Sequence, residues 1–322
     1  LQVTRAEVEA ESGPARGRWG TAVALTVAVV FLAVFDAVPL VLLPLAVLMM
    51  ALPAGGRIKW LLAGIVLWVL AVLLPGGSLG TIGRGWSLLL ASAFLFATLW
   101  RPDWGVFPRA ITALGATFAL GAVYVLLIGS AAEVDWAIRE HFQSVSSLAA
   151  GDLAARAPQS GWVQELSSAT DRMAVMQWRL FPALLALQSL AALALASWWL
   201  ARFRGVADGP LGVRPLREFR FSDQLVWVLV AGLVLVAIQG GDVATRIGYN
   251  ALLFMGSLYA LRGVGVFVFL AGRAPSWFAV VFGALAAIFL YPLVLTAAVL
   301  VGLGDTWLDV RGRAALATRP DA

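Results

Sequence analysis

The feature that most limits this chain is the length of its uncharged apolar runs. Residues 21–53 carry a single ionisable side chain, Asp36, and residues 274–304 carry no charged side chain. A helix that crosses a bilayer needs roughly 20 predominantly apolar residues in succession. In lipid only a helix or a closed barrel can pair every backbone N–H and C=O, and runs this long are helical in length. Hydrophobic residues make up 61% of the 322 residues and charged ones 13%, against roughly 45–50% and 25% in soluble domains. A soluble enzyme and a disordered chain are excluded. The expected fold is all-α, a polytopic integral membrane protein.

Hydropathy divides the chain into five parts: a polar N-terminal tail at 1–18, a first group of transmembrane helices at 19–129, an amphipathic insert at 130–179, a second transmembrane group at 180–303 and a polar C-terminal tail at 304–322. Pro39 and Pro44 interrupt the first apolar run, because proline lacks an N–H and bends a helix. That run is either two short helices, 20–36 and 38–53, or one kinked element. Further spans are expected at 58–75, 86–100, 107–129, 180–203, 224–239, 247–271 and 276–303, which makes eight or nine in all. The glycine-rich stretch 76–85 reads as a turn. Within the insert, Val134, Ile138, Phe142 and Val145 recur at helical spacing, and Val163, Leu166, Met173 and Met176 suggest a second helix after a break at 151–161. Such helices are expected to lie along the membrane surface or to cap the bundle.

The charges give an orientation. Of 23 basic residues only Lys59 is lysine, and the arginines fall between the apolar runs. This is the positive-inside pattern of membrane proteins, not the basic patch of a nucleic-acid-binding surface. The most basic loop, 201–223, belongs in the cytoplasm. With nine spans the N-terminus is then also cytoplasmic, while the polar insert and the C-terminus lie outside. The N-terminal tail does not read as a secretory signal. The expected location is the bacterial cytoplasmic membrane, with lipid as the surrounding partner. Trp19, Trp60, Trp86, Trp100, Trp104, Trp178, Trp198, Trp199, Trp227 and Trp277 sit near the ends of spans, as in an aromatic belt.

The catalytic vocabulary is thin. There is no cysteine and a single histidine, His141, so disulfides, iron–sulfur clusters and Cys/His zinc sites are excluded. Neither G-x-x-x-x-G-K-[ST] nor H-E-x-x-H occurs. No cofactor, no metal and no catalytic residue is expected, and an intramembrane enzyme acting on lipid is the least favoured class. Ionisable groups inside spans are costly and mark functional candidates. Arg262 is one, with bundle-holding ion pairing as its alternative. Asp36 is another, with helix capping as its alternative. A third group is Gln239-Gly240-Gly241-Asp242 with Arg246 and Asn250, which lie one helical turn apart on one face. A short unwound segment beside polar side chains is how transporters bind solutes; the alternative is an interfacial loop with a capping Asp242 and a snorkelling Arg246. Ala113, Thr117 and Gly121, and likewise Ala279, Gly283 and Ala287, form small-residue stripes suited to close helix packing. Two functions follow. One is a non-enzymatic transport-type subunit with Asp36, Asp242, Arg246, Asn250 and Arg262 lining a solute site. The other is a structural or assembly protein that binds other envelope proteins.

Three segments of the second half carry a resemblance. They are FRFSDQLVW at 219–227, NALLFMGSLYALRG at 250–263, and the end with Gly302-Leu303-Gly304-Asp305 and Trp307-Leu308-Asp309-Val310-Arg311. Together, over residues 180–313, they resemble the YybS-like family of bacterial multi-pass membrane proteins, a domain of unknown function. The resemblance singles out Asp223, Trp227, Asn250, Gly263, Asp305, Asp309 and Arg311, without roles. For Asp305, Asp309 and Arg311 a C-terminal cap or salt bridge is the first expectation. The family's layout is similar to the substrate-binding membrane subunits of energy-coupling-factor transporters. That likeness implies a separate coupling ATPase, consistent with the missing phosphate-binding loop.

Overall fold

The computed structural model describes residues 38–51, 64, 78–129, 131–156, 161–204, 213–271 and 289–317. These residues contain helices and connecting turns and no strand. We number the helices α1 (Val38–Ala51), α2 (Ser78–Trp100), α3 (Val106–Ile128), α4 (Ala131–Arg156), α5 (Gly161–Arg204), α6 (Val226–Ile238), α7 (Asp242–Ala271), α8 (Tyr291–Leu308) and α9 (Val310–Ala317). Five stretches among the described residues are long and apolar enough to cross a membrane: Ile82–Trp100, Val106–Ile128, Trp162–Arg202, Asp242–Leu270 and Tyr291–Leu308. Two shorter apolar helices, Leu40–Met49 and Asp223–Ile238, accompany them. The expected span at 20–36, that at 58–75 apart from residue 64, the stripe Ala279/Gly283/Ala287 and Asp36 lie outside the described residues.

Helix α5 organises the bundle. Its C-terminal half buries Ala186, Leu190, Ala192, Leu193, Leu195, Ala196 and Leu200 against Leu48 of α1, Leu90 and Phe94 of α2, and Met255 and Tyr259 of α7. Small side chains on α5 let its neighbours approach, and close packing is what drives helices together when the solvent is itself apolar. Ser197 Oγ donates back to the Leu193 carbonyl at 2.8 Å, so this buried hydroxyl carries its own partner.

Several boundaries differ from the hydropathy reading. The stretch 78–85 is helical rather than a turn, with α2 running unbroken through Gly80, Gly83 and Gly85. Gly83 and Gly85 are exposed with open space where a side chain would be, so glycine's poor helix propensity is not offset by packing at these two positions. The expected boundary near 179 falls inside α5, which is one helix of 44 residues. At 1.5 Å per residue it is about 66 Å long, twice the hydrocarbon thickness of roughly 30 Å. Its N-terminal half pairs with α4 as a helical hairpin that extends past the bundle. Ser146 Oγ donates to Asp171 Oδ1 at 2.7 Å, and the Trp178 indole N–H donates to Asp135 Oδ1 at 3.2 Å. Ile138 of the first expected stripe is buried in this pair, whereas Leu166, Met173 and Met176 of the second stripe are exposed.

Candidate functional site

The candidate residues separate into two places along α7. The first surrounds Arg262, 3% exposed, and Asp305, 1% exposed. Arg262 Nε donates to Asp305 Oδ2 at 3.0 Å, its Nη2 to the Asp305 carbonyl at 3.3 Å and its Nη1 to Asp223 Oδ1 at 3.2 Å. Arg311 Nη2 reaches the same Asp305 Oδ2 at 2.7 Å, while its Nη1 donates to the carbonyls of Arg217 and Phe219. Arg220 and Asp309 close the rim at 2.7 Å. Three arginines thus face three aspartates, and the cluster is neutral. It ties the segment 213–225 to α7, α8 and α9.

Backbone proximity makes this cluster possible. A side-chain carbon at Gly263 would strike the Ala298 carbonyl, and one at Gly302 would strike the Tyr259 carbonyl. Helices α7 and α8 therefore touch main chain to main chain, antiparallel, which brings Arg262 within reach of Asp305. The resemblance pointed to Gly263, Asp223, Asp305, Asp309 and Arg311, and all five meet here. Asp305 pairs with Arg311 as expected; Asp309 pairs instead with Arg220 and, in a left-handed conformation (φ 40°), joins α8 to α9. Trp227 is elsewhere, 69% exposed on the first turn of α6. The Arg311 hydrogen bonds set the first turn of α9 beside residues 217 and 219.

The second place lies toward the N-terminus of α7, about 24 Å from Arg262 at 1.5 Å per residue. Here Pro182 interrupts the hydrogen-bond ladder of α5. Proline has no N–H, so the carbonyl four residues earlier, Trp178, lacks its helical donor. Arg246 Nη2 supplies one at 3.1 Å. The Asn250 amide enters the same turn, its Oδ1 accepting from the Ala183 N–H at 2.9 Å and its Nδ2 donating to the Arg179 carbonyl at 2.9 Å. Arg246 Nη1 also pairs with Asp135 at 2.7 Å, and the guanidinium stands 4.7 Å from the centroid of the Trp178 ring. Arg246 and Asn250 do share a face, and it is turned to α5. Asp242 is exposed in the first turn of α7, where a carboxylate suits the helix dipole. Gln239 and Gly241, with φ of 51° and 101°, form the tight turn before it. Beside this junction Arg139, Gln143, Ala174, Val175, Trp178 and Arg179 line a cavity of about 230 Å³.

Sequence reasoning passed over several of these groups. Pro182 inside an apolar run was a readable signal of an interrupted helix. Arg109, fully buried, donates to the carbonyls of Arg101 and Pro102 at 3.2 and 2.7 Å and so fastens the turn between α2 and α3. Trp86 and Trp178, expected in an aromatic belt, donate instead to Ser189 and Asp135. Gly76-Gly77-Ser78-Leu79-Gly80 has G-x-S-x-G spacing. That motif acts on a strand–turn–helix elbow, and the described residues contain no strand.

Long apolar helices, with a buried Arg262–Asp305–Arg311 ion cluster among them, define a multi-pass helical membrane protein. The chain belongs to the family described as "Predicted membrane protein (DUF2232)", whose model matches residues 21–306. This agrees with the YybS-like resemblance of its second half. Among curated proteins and among solved structures nothing matches it.

Proposed function

We propose that the chain is a non-enzymatic, transport-type subunit of the bacterial cytoplasmic membrane that binds a small solute where α4, α5 and α7 meet. It does so within the bundle of eight or nine spans read from hydropathy. The observation that carries this reading is the opening of the hydrogen-bond ladder at Pro182 within the continuous helix α5, where the Trp178 and Arg179 carbonyls bond to side chains of α7. Transporters bind solutes where helix backbone groups are released beside polar side chains. Here the Trp178 and Arg179 carbonyls, Arg246 and Asn250 stand beside a cavity. A solute arriving there competes for Arg246 and Asn250 and so acts on the link between the hairpin and α7. With no phosphate-binding loop in the chain, energy would come from a separate coupling ATPase.

The test is a pull-down of the full chain in gentle detergent from its native host, with mass spectrometry of proteins and small molecules together. A co-purifying ATPase pair, or a metabolite lost on Asn250→Leu, is expected. Enrichment of unrelated envelope proteins with no small molecule overturns the transport reading. That outcome favours assembly, for which the exposed Leu148, Leu166, Met173 and Met176 of the hairpin are the relevant observation.

A further inference from the structure

We infer that the cavity between α4 and α5 is an anion site, taking a phosphate or carboxylate group attached to an apolar or aromatic body. The inference rests on the reading above and names the ligand's class. Two guanidinium groups, Arg139 and Arg179, line the cavity, and no carboxylate does. Among the described residues neither guanidinium has an acidic partner within ion-pair distance. Arg246 differs, since Asp135 neutralises it. The Trp178 ring lies within cation–π distance of both Arg139, at 5.2 Å, and Arg246, at 4.7 Å. Two guanidinium groups thus stand by one indole ring, and a bound anion supplies Arg139 and Arg179 with the countercharge they lack among the described residues. Ala174, Val175 and the indole give the remaining wall an apolar character, and Gln143 adds an amide that can donate. Guanidinium groups match the planar, multidentate oxygens of phosphate and carboxylate. The walls lie on the outer half of α5 and on α4, next to the junction with the bundle. Both a lipid headgroup and a dissolved anion could bring this chemistry to the site.

The experiment uses the full chain in phosphatidylcholine nanodiscs, with and without phosphatidylglycerol, and with inorganic phosphate as the soluble probe. Binding is read by native mass spectrometry and by the shift in thermal unfolding. The wild type is compared with the double variant Arg139→Gln/Arg179→Gln and with Arg214→Gln, an exposed arginine at the other end of the molecule. The double variant is expected to unfold as the wild type does when no anion is present. It should bind anion about tenfold more weakly or worse, the effect of losing a charged hydrogen bond. Arg214→Gln should leave binding unchanged. Arginine-dependent binding of phosphatidylglycerol alone supports the site with lipid as the source, and arginine-dependent binding of phosphate supports it with a dissolved anion. Binding of neither probe, or binding indifferent to the two arginines, overturns the inference. A neutral or cationic metabolite retained in the native pull-down and lost on Asn250→Leu would overturn the anion assignment alone and leave the solute-binding reading standing.

Discussion

The two polar regions along α7 use the same side chains to opposite ends. Around Arg262 three arginines meet three aspartates, and the central carboxylate is wholly buried. Around Arg246 one of the guanidinium groups is paired while, among the described residues, Arg139 and Arg179 have no acidic partner, Trp178 is part-exposed, and a cavity opens. Charge inside a membrane protein is therefore not by itself a sign of a ligand site. A buried charge neutralised by opposite charges is spent on holding the fold. A charge left with none, at the edge of a cavity, is available to something else.

The sharpest way to break this comparison is to remove Asp305. Loss of one partner from a buried ion cluster costs roughly 3–5 kcal/mol, because the remaining charges stay buried without compensation. Asp305→Ala leaves Arg262 and Arg311 facing each other, and a large fall in the thermal unfolding midpoint is expected. Arg262→Gln should fall in the same direction while sparing anion binding at the other site. Should either protein unfold as the wild type does, the cluster is not a lock. The α7–α8 crossing beneath it gives a second test. In Gly302→Ala the new methyl meets the Tyr259 carbonyl, a main-chain atom that cannot rotate away. Overpacking costs typically 1–3 kcal/mol, and here it should also loosen the Arg262–Asp305 pair. Gly304→Ala, which has open space, is the matched control and should be silent.

The junction at Pro182 should respond less strongly. Asn250→Leu removes an amide that serves both the Ala183 N–H and the Arg179 carbonyl. Interhelical hydrogen bonds in membranes contribute about 0.6 kcal/mol on average and at most about 1.7. A modest fall in the unfolding midpoint is therefore expected, together with faster proteolysis or hydrogen exchange at 178–183 and loss of the bound solute. A fall as large as that of Asp305→Ala would mean that both regions are locks and would remove the contrast.

Much of the architecture was legible in the residue order, and the reasons mark where it stopped. Apolar run length gave α3 and α7 nearly to their ends, because a membrane span is dictated by local hydropathy. The extent of α2 was not legible: glycines at 80, 83 and 85 look like a turn locally, yet the helix runs on through them. Nor was the continuity of α5, since amphipathic and apolar stretches fuse wherever no helix breaker stronger than Pro182 intervenes. Arg262 was readable as an exceptional residue, and ion pairing was one of its two readings. Its partners were not, because Asp223 and Asp305 lie far away in sequence and are brought in by the Gly263–Gly302 crossing. Arg246 and Asn250 were readable as one face, but which helix that face meets is a tertiary fact. Arg139 and Arg179 could not be distinguished from other surface arginines until the cavity joined them.

Trp227 should give the smallest effect and the cleanest control for reading the family motif. It stands in the same segment as Asp223, four residues further on, and both are about two-thirds exposed, yet only the Asp223 carboxylate reaches the buried Arg262. If proximity in the motif meant a shared role, both should matter to folding alike. The structure separates them: Asp223 belongs to the lock, and Trp227 faces outward at the start of an apolar helix, where an indole sits well at the headgroup level. Substitution away from packing and polar networks changes stability by about 0.5 kcal/mol or less. Trp227→Leu keeps the surface apolar and should therefore leave the unfolding midpoint in detergent unchanged, whereas Asp223→Asn should lower it measurably. A loss in Trp227→Leu equal to that in Asp223→Asn would show that the exposed face of α6 is covered in the folded protein, and the line drawn here between locking and outward-facing motif residues would have to be moved.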